Sequence, residues 1–179
     1  MSITIRKATR EDAAGIAKVH IDSWRTTYQG ILADEFLANL SYERRVQGWA
    51  ESLANPQYPG FLYVAVTESG QIIGFVSAGS RHEDEPDYIE YPSEVYAIYL
   101  LKQAQGQGTG RKLMEAARRE LCQRGFSSML LWVLKDNLPS RKFYEAMGGK
   151  FLREKPIEIG NQTLLEVAYG WTDICATIQ

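Results

Sequence analysis

Apolar and polar positions alternate from Ile3 to Lys7, which predicts a first strand. Thr9-Arg-Glu-Asp12 reads as a helix start of the capping-box kind, with Asp12 where Glu or Gln is usual. Behind it Ala13, Ile16, Ala17, His20 and Trp24 recur at helical spacing, so His20 is expected in the core. A second helical stretch is expected over roughly Leu40 to Leu53. From Phe61 the period changes to two, with Leu62, Val64 and Val66 on one face. Glu68 to Gln71 makes a turn, and Ile72 to Ala78 returns as the second strand of a hairpin.

An acidic loop from His82 to Ser93 leads into another strand, Glu94 to Leu100. A glycine-rich turn, Gln105-Gly-Gln-Gly-Thr-Gly110, then opens a helix striped by Leu113, Met114, Ala117 and Leu121 and closed by Gly125. Met129 to Leu134 is a nearly unbroken apolar run, as expected of a strand covered on both faces. Asn137 to Ser140 starts a short helix through Phe143 and Tyr144, ended by Gly148-Gly149. Two last strands, Phe151 to Ile159 and Gln162 to Trp171, flank a Gly160-Asn161 turn. Hairpins combined with a strand-helix-strand crossover predict a mixed α/β fold. No linker or repeat divides the 179 residues, so a single domain over 1–179 is expected.

Composition narrows the function. Twenty Lys and Arg against 22 Asp and Glu give a net charge of -2, which argues against a protein that grips nucleic acid through its phosphates. Two cysteines cannot build a disulfide scaffold, and two distant histidines make a zinc site improbable, so no metal is expected. No segment reaches the roughly 20 apolar residues of a membrane span, and no apolar leader opens the sequence, so a cytoplasmic address is expected.

The glycine turn carries the chemistry. Glycines at 106, 108 and 110 let the backbone approach a ligand, and the helix they open presents free N–H groups and the positive end of its dipole. Such a site suits phosphate. Arg111 and Lys112 oppose the dipole of an empty helix start, and an anion would remove that conflict. The P-loop string GxxxxGK[ST] is absent. The dinucleotide fingerprint GxGxxG fails because Arg111 or Leu113 stands at the third glycine.

Gln105-x-x-Gly108-x-Gly110 after an apolar strand resembles the acetyl-CoA signature of the GNAT N-acetyltransferase superfamily. Downstream, Asn137, Ser140, Phe143-Tyr144-Glu145 and Gly148 are similar to the family's N…A…FYEKLGF segment. Ile5 to Asp12 resembles its first strand and helix start. Ser140 replaces the common Ala, and Gly149-Lys150 stands where GF is usual. The resemblance implies a GNAT fold, with a mixed, mostly antiparallel sheet splayed between its fourth and fifth strands and flanked by helices. It implies acetyl-CoA as the acyl donor. It implies main-chain contacts to the pyrophosphate from Gly106, Gln107, Gly108, Thr109, Gly110 and Arg111, with Gln105 also in the cofactor-binding turn. It further implies pantetheine contacts from the main chain of Ile98 and Leu100 and from the Asn137 side chain.

The same resemblance implies direct acetyl transfer to a primary amine. The amine must first be neutral, which costs about 4.6 kcal/mol at pH 7 for a pKa near 10.4. Glu94 stands where family members that use a strand glutamate carry their base, and a water network is the open alternative. Tyr144 matches the tyrosine that donates toward the departing sulfur. The stretch 83–94 holds six carboxylates and no Lys or Arg, leaving the remainder at +4. Asp84 and Glu85 are therefore expected to attract a cationic acceptor, a small amine or a protein amine. Trp24 and Tyr28 are expected as an acceptor wall. A homodimer is compatible with this reading. The competing class is a module that binds acetyl-CoA without turning it over.

Overall fold

The computed structural model describes residues 2–82 and 90–176. Its elements run β1 (Ile3–Lys7), α1 (Ala13–Thr27), α2 (Asp34–Ala38), α3 (Tyr42–Ala54), β2 (Gly60–Thr67), β3 (Ile72–Ser80), β4 (Ser93–Leu100), α4 (Thr109–Gln123), β5 (Met129–Leu134), α5 (Leu138–Ala146), β6 (Lys150–Ile159) and β7 (Gln162–Trp171). Strands are hydrogen bonded in the order β1-β2-β3-β4-β5-β7-β6. Their packing divides the chain into two compact units, Met1–Ser77 with Ala97–Ala117 and Ala78–Tyr96 with Arg118–Gln179. Strands β3 and β4 and helix α4 run through both.

In the first unit β1 pairs antiparallel with β2, from Ile3↔Thr67 to Lys7↔Tyr63. The helix start after β1 is held by Asp12. Its carboxylate accepts the Thr9 N–H at 2.8 Å and takes the Arg6 guanidinium through two bonds of 2.7 and 2.9 Å. These bonds hold the carboxyl below its usual pKa, the Arg6 hydrogen bond first. Helix α1 then buries Ile16, Ala17, Val19 and Ile21. Helix α3 starts two residues later than its periodicity suggests, because the Ser41 hydroxyl caps it by accepting the Arg44 N–H at 3.3 Å. The short α2 escapes a periodicity search, since five residues hold barely more than one turn.

In the second unit the parallel ladder of β4 with β5 consists of Ser93↔Met129 and Glu94↔Leu130. Strand β5 pairs antiparallel with β7 along its whole length, and β7 with β6. The sheet is therefore mixed and mostly antiparallel. Strand β5 is buried almost throughout, as its apolar run predicts. Gly125 closes α4 with φ 90°, and the Phe126 N–H reaches back to the Leu121 carbonyl at 3.1 Å.

Cys122 and Cys175 are joined in a disulfide, with a sequence separation of 53. Spacing alone could not show that the segment after β7 returns to α4. Arg118 of α4 adds bonds to the Ile174 and Ala176 carbonyls, and the Ile174 N–H bonds the Ser127 carbonyl. In the chain-entropy view, closing a loop of that length stabilises the fold by about 4 kcal/mol. Denaturant unfolding with and without a dithiol reductant should therefore differ by up to that amount. Identical midpoints would show that the bond constrains nothing.

Candidate active site

The end of β4 and the glycine turn lie in the first unit. The Leu101 N–H donates to the Ile73 carbonyl of β3 at 2.9 Å. Main-chain groups alternate sides along a strand, so those of Ile98 and Leu100 point to the edge away from β3. Neither residue belongs to the ladder with β5. The Gln105 side-chain amide donates to the Leu100 carbonyl at 3.3 Å, and that of Gln107 to the Gln103 carbonyl at 2.8 Å. These two amides fasten the turn at both of its glutamines.

Gly106 and Gly108 have φ of 73° and 78°, a left-handed conformation that side chains resist. Nothing stands within 4 Å of where a Cβ would project at either one. The first helical bond of α4 is Lys112 N–H to the Gly108 carbonyl, at 3.1 Å. Amides ahead of it are the ones a helix leaves without an internal partner. Thr109 is 1% exposed, and its Oγ1 has no hydrogen-bond partner. A buried hydroxyl without a partner is costly, and an oxyanion at the helix start would satisfy it together with the free amides. The residues present fit a phosphate-bearing ligand. Arg111 and Lys112 are exposed beside them.

Glu94, Asn137 and Tyr144 lie in the second unit. Glu94 is half-buried and stands opposite Leu130 in the parallel ladder. Asn137 is buried, and its Oδ1 caps α5 by accepting the Ser140 N–H at 3.3 Å. Tyr144 is 7% exposed, with the rings of Phe143, Tyr169 and Trp171 at 5.5, 6.3 and 6.5 Å. The turn after α5 is tight: the Gly149 N–H bonds the Tyr144 carbonyl at 2.9 Å, and a Cβ on Gly149 would stand 2.6 Å from the Trp171 ring. That close approach accounts for the second glycine of Gly148-Gly149. Asp84 and Glu85 lie outside the described residues.

Trp24 and Tyr28 belong to an aromatic cluster of the first unit. Their rings meet edge to face at 5.1 Å. Phe36 and Tyr99 stand 6.4 and 6.3 Å from Trp24. His20 packs on Tyr99 at 5.1 Å and on Phe75 and Trp49 at 5.8 Å, and its Nδ1 accepts the Trp49 indole N–H at 3.3 Å. Burial first, and the nearby Arg45 charge second, push the His20 pKa down to about 3, so the ring is neutral. His20 is thus the core histidine that its spacing predicts. Sequence reasoning passed over Phe36, Trp49 and Tyr99. The available signal was the alternation of β4, which puts Tyr99 on the face opposite Ile98 and Leu100.

Among the described residues no cluster of three or more His, Cys, Asp and Glu could hold a metal, and no helix is long and apolar enough to cross a membrane.

The mixed sheet, the early end of the β4–β5 ladder and the glycine turn before α4 define an acyl-CoA-binding α/β protein. The family model for the acetyltransferase (GNAT) family matches residues 19–149, and the chain belongs to that family. It is 41% identical over 175 residues to an uncharacterized N-acetyltransferase, YuaI, of Bacillus subtilis, covering 97% of this chain and 95% of the relative. It is 25% identical over 171 residues to a spermidine N(1)-acetyltransferase of Thermoplasma acidophilum, covering 88% and 99%. The PaiA N-acetyltransferase of Thermoplasma acidophilum, solved with coenzyme A, superposes with a TM-score of 0.74 at 23% identity, over 93% of this chain and 98% of that one. The protein is an N-acetyltransferase that uses acetyl-CoA.

The low pKa of His20 has a measurable consequence. Between pH 3 and 6.5 the unfolded chain binds the proton and the folded one does not, so stability rises with pH in that window. Acidification below 6.5 should cost about 1.4 kcal/mol per pH unit through this residue. Urea unfolding of His20→Gln and wild type at pH 7 and 5 should show a shallower loss in the variant. Parallel losses would place the proton uptake elsewhere.

Proposed function

We propose that the protein transfers acetyl directly from acetyl-CoA to a primary amine, a small cationic amine or a protein amine, while both are bound. The observation that carries this reading is the glycine turn with the unpartnered Thr109 hydroxyl at the head of α4. The acceptor class is supported by the relative named as a spermidine acetyltransferase. Acetyl-CoA supplies an activated thioester, whose C–S bond is exchanged for the new amide C–N bond.

The chain's own residues take the remaining tasks. Main-chain amides of Gly106 to Arg111, assisted by the Thr109 hydroxyl and the α4 dipole, hold the pyrophosphate. The main chain of Ile98 and Leu100 pairs with the pantetheine amides as an added strand would. Asn137, already fixed as the α5 cap, offers its remaining amide donors to the same arm. Glu94, directly or through water, receives the proton that the amine must lose. Tyr144 holds the proton that the departing sulfur needs. A phenol pKa near 10 against a thiol near 8.5 makes full transfer uphill by about 2 kcal/mol, so a hydrogen bond to the developing thiolate is the larger contribution. Direct transfer also agrees with the cysteines: Cys122 and Cys175 are bonded to each other, and no free thiol remains to carry the acyl group.

Two measurements test this. Acetyl-CoA at about 100 times its Kd should add about 2.7 kcal/mol to the unfolding free energy, and NAD should add none. Tyr144→Phe should lower kcat in a thiol-release assay by about tenfold to a hundredfold, within the range of a lost proton donor, and leave acetyl-CoA affinity nearly unchanged. An unchanged kcat would remove Tyr144 from the reaction.

A further inference from the structure

The second unit holds a polar bridge that no step of the acetyl transfer uses. Tyr169 of β7 is fully buried, with the rings of Tyr144 and Phe151 at 6.3 and 6.5 Å. A phenylalanine would keep those ring contacts, so packing does not account for the hydroxyl. That hydroxyl stands between two charged side chains of α5. It accepts the Arg141 Nε–H at 3.1 Å and donates to the Glu145 carboxylate at 2.6 Å. Burial first, and the Glu145 hydrogen bond second, hold the phenol above its usual pKa, so it keeps the proton that it donates.

The two charges do little for the helix itself. Arg141 precedes Glu145 by one turn, the less favourable order for an ion pair along a helix. What they serve is attachment. Arg141 also donates through Nη1 to the Lys135 carbonyl just beyond β5, at 3.0 Å. One guanidinium therefore ties α5 to the end of β5 and to β7. Two residues along β7, on the same face as Tyr169, the Trp171 indole N–H donates to the Met147 carbonyl just past α5, at 2.9 Å. Tyr144 lies between these anchors, and its ring meets the rings of both Tyr169 and Trp171. A helix of nine residues has little stability of its own, so its rotation is set by such attachments.

We propose that Tyr169 is a positioning residue for acetyl transfer: its hydroxyl, held by Arg141 and Glu145, fixes the rotation of α5 and through it the direction of the Tyr144 phenol. This rests on the reading that Tyr144 serves the departing sulfur, and it adds what aims that group. Without the hydroxyl the ring at 169 still packs, but the bridge to α5 is gone and the helix turns more freely. A displacement of about 1 Å in a reacting group can cost up to about a hundredfold in rate. The exposed Glu145 carboxylate and the half-buried Arg141 guanidinium then turn to water.

A double-mutant cycle on Tyr144 and Tyr169 tests this. Thiol release from acetyl-CoA is followed for wild type, Tyr169→Phe, Tyr144→Phe and the double variant. Spermidine, phenethylamine and a lysine-containing peptide are the amines, and urea unfolding checks that each variant is folded. Tyr169→Phe should lower kcat by about threefold to tenfold, with KM for acetyl-CoA little changed. In the Tyr144→Phe background the same change should lower kcat by less than about twofold, because the aimed group is already gone. Glu145→Ala should lose as much as Tyr169→Phe, and Glu145→Gln, which keeps an acceptor oxygen, should recover most of that loss. The Glu145 variants alter an exposed side chain and give the same cycle if Tyr169→Phe does not fold. An unchanged kcat in Tyr169→Phe overturns the inference. So does an equal loss in the two backgrounds, which marks the hydroxyl as structural, and both outcomes leave Tyr144 in its role. Full activity of Tyr144→Phe overturns that role and this inference with it. Turnover of no amine overturns the proposed function as well.

Discussion

Every main-chain N–H and C=O of a strand needs a partner, and β4 meets that demand unevenly. On one side Leu101 bonds Ile73 of β3. On the other, the ladder to β5 holds Ser93 and Glu94 only. Ile98 and Leu100, whose main chain points to that second side, stand outside it. The remaining features of the binding region follow from this strand. Gln105 reaches back to the Leu100 carbonyl, the turn continues through two left-handed glycines, and α4 begins with Thr109.

Electrostatics at the turn point the same way. Helix α4 opens without an acidic residue in its first turn and with Arg111 and Lys112 there instead. That charge opposes the dipole by a few tenths of a kcal/mol or more in the free protein. Thr109 adds a buried hydroxyl with no partner. Each feature disfavours the empty turn slightly, and a phosphate relieves all of them together. The strain is local, and the helix it belongs to is secured elsewhere: its far end carries Cys122, bonded to Cys175.

Much of this was legible in the sequence. Alternation, one unbroken apolar run and turn residues predicted all seven strands to within a residue or two at their ends, and the glycine turn stood out by its spacing. Chain-local signals carry that information: alternation, caps and turn residues act within a few positions. What escaped depends on distant segments meeting. Tyr99 and Trp49 joined Trp24 because three elements pack around His20. The Cys122–Cys175 bond needed the last segment to return to α4. Gly149 is required for a reason visible only in three dimensions, the Trp171 ring where a Cβ would stand.

The central claim is that the free edge of β4 and the glycine turn together receive acetyl-CoA. Residue-resolved amide hydrogen exchange with and without acetyl-CoA tests it most directly, because it reads the very N–H groups at issue. Slowed exchange at Ile98 or Leu100 and across 106–111, with β1 and β2 unchanged, is the result this account predicts. Binding that leaves those amides exchanging as before, with protection gained elsewhere, would contradict it.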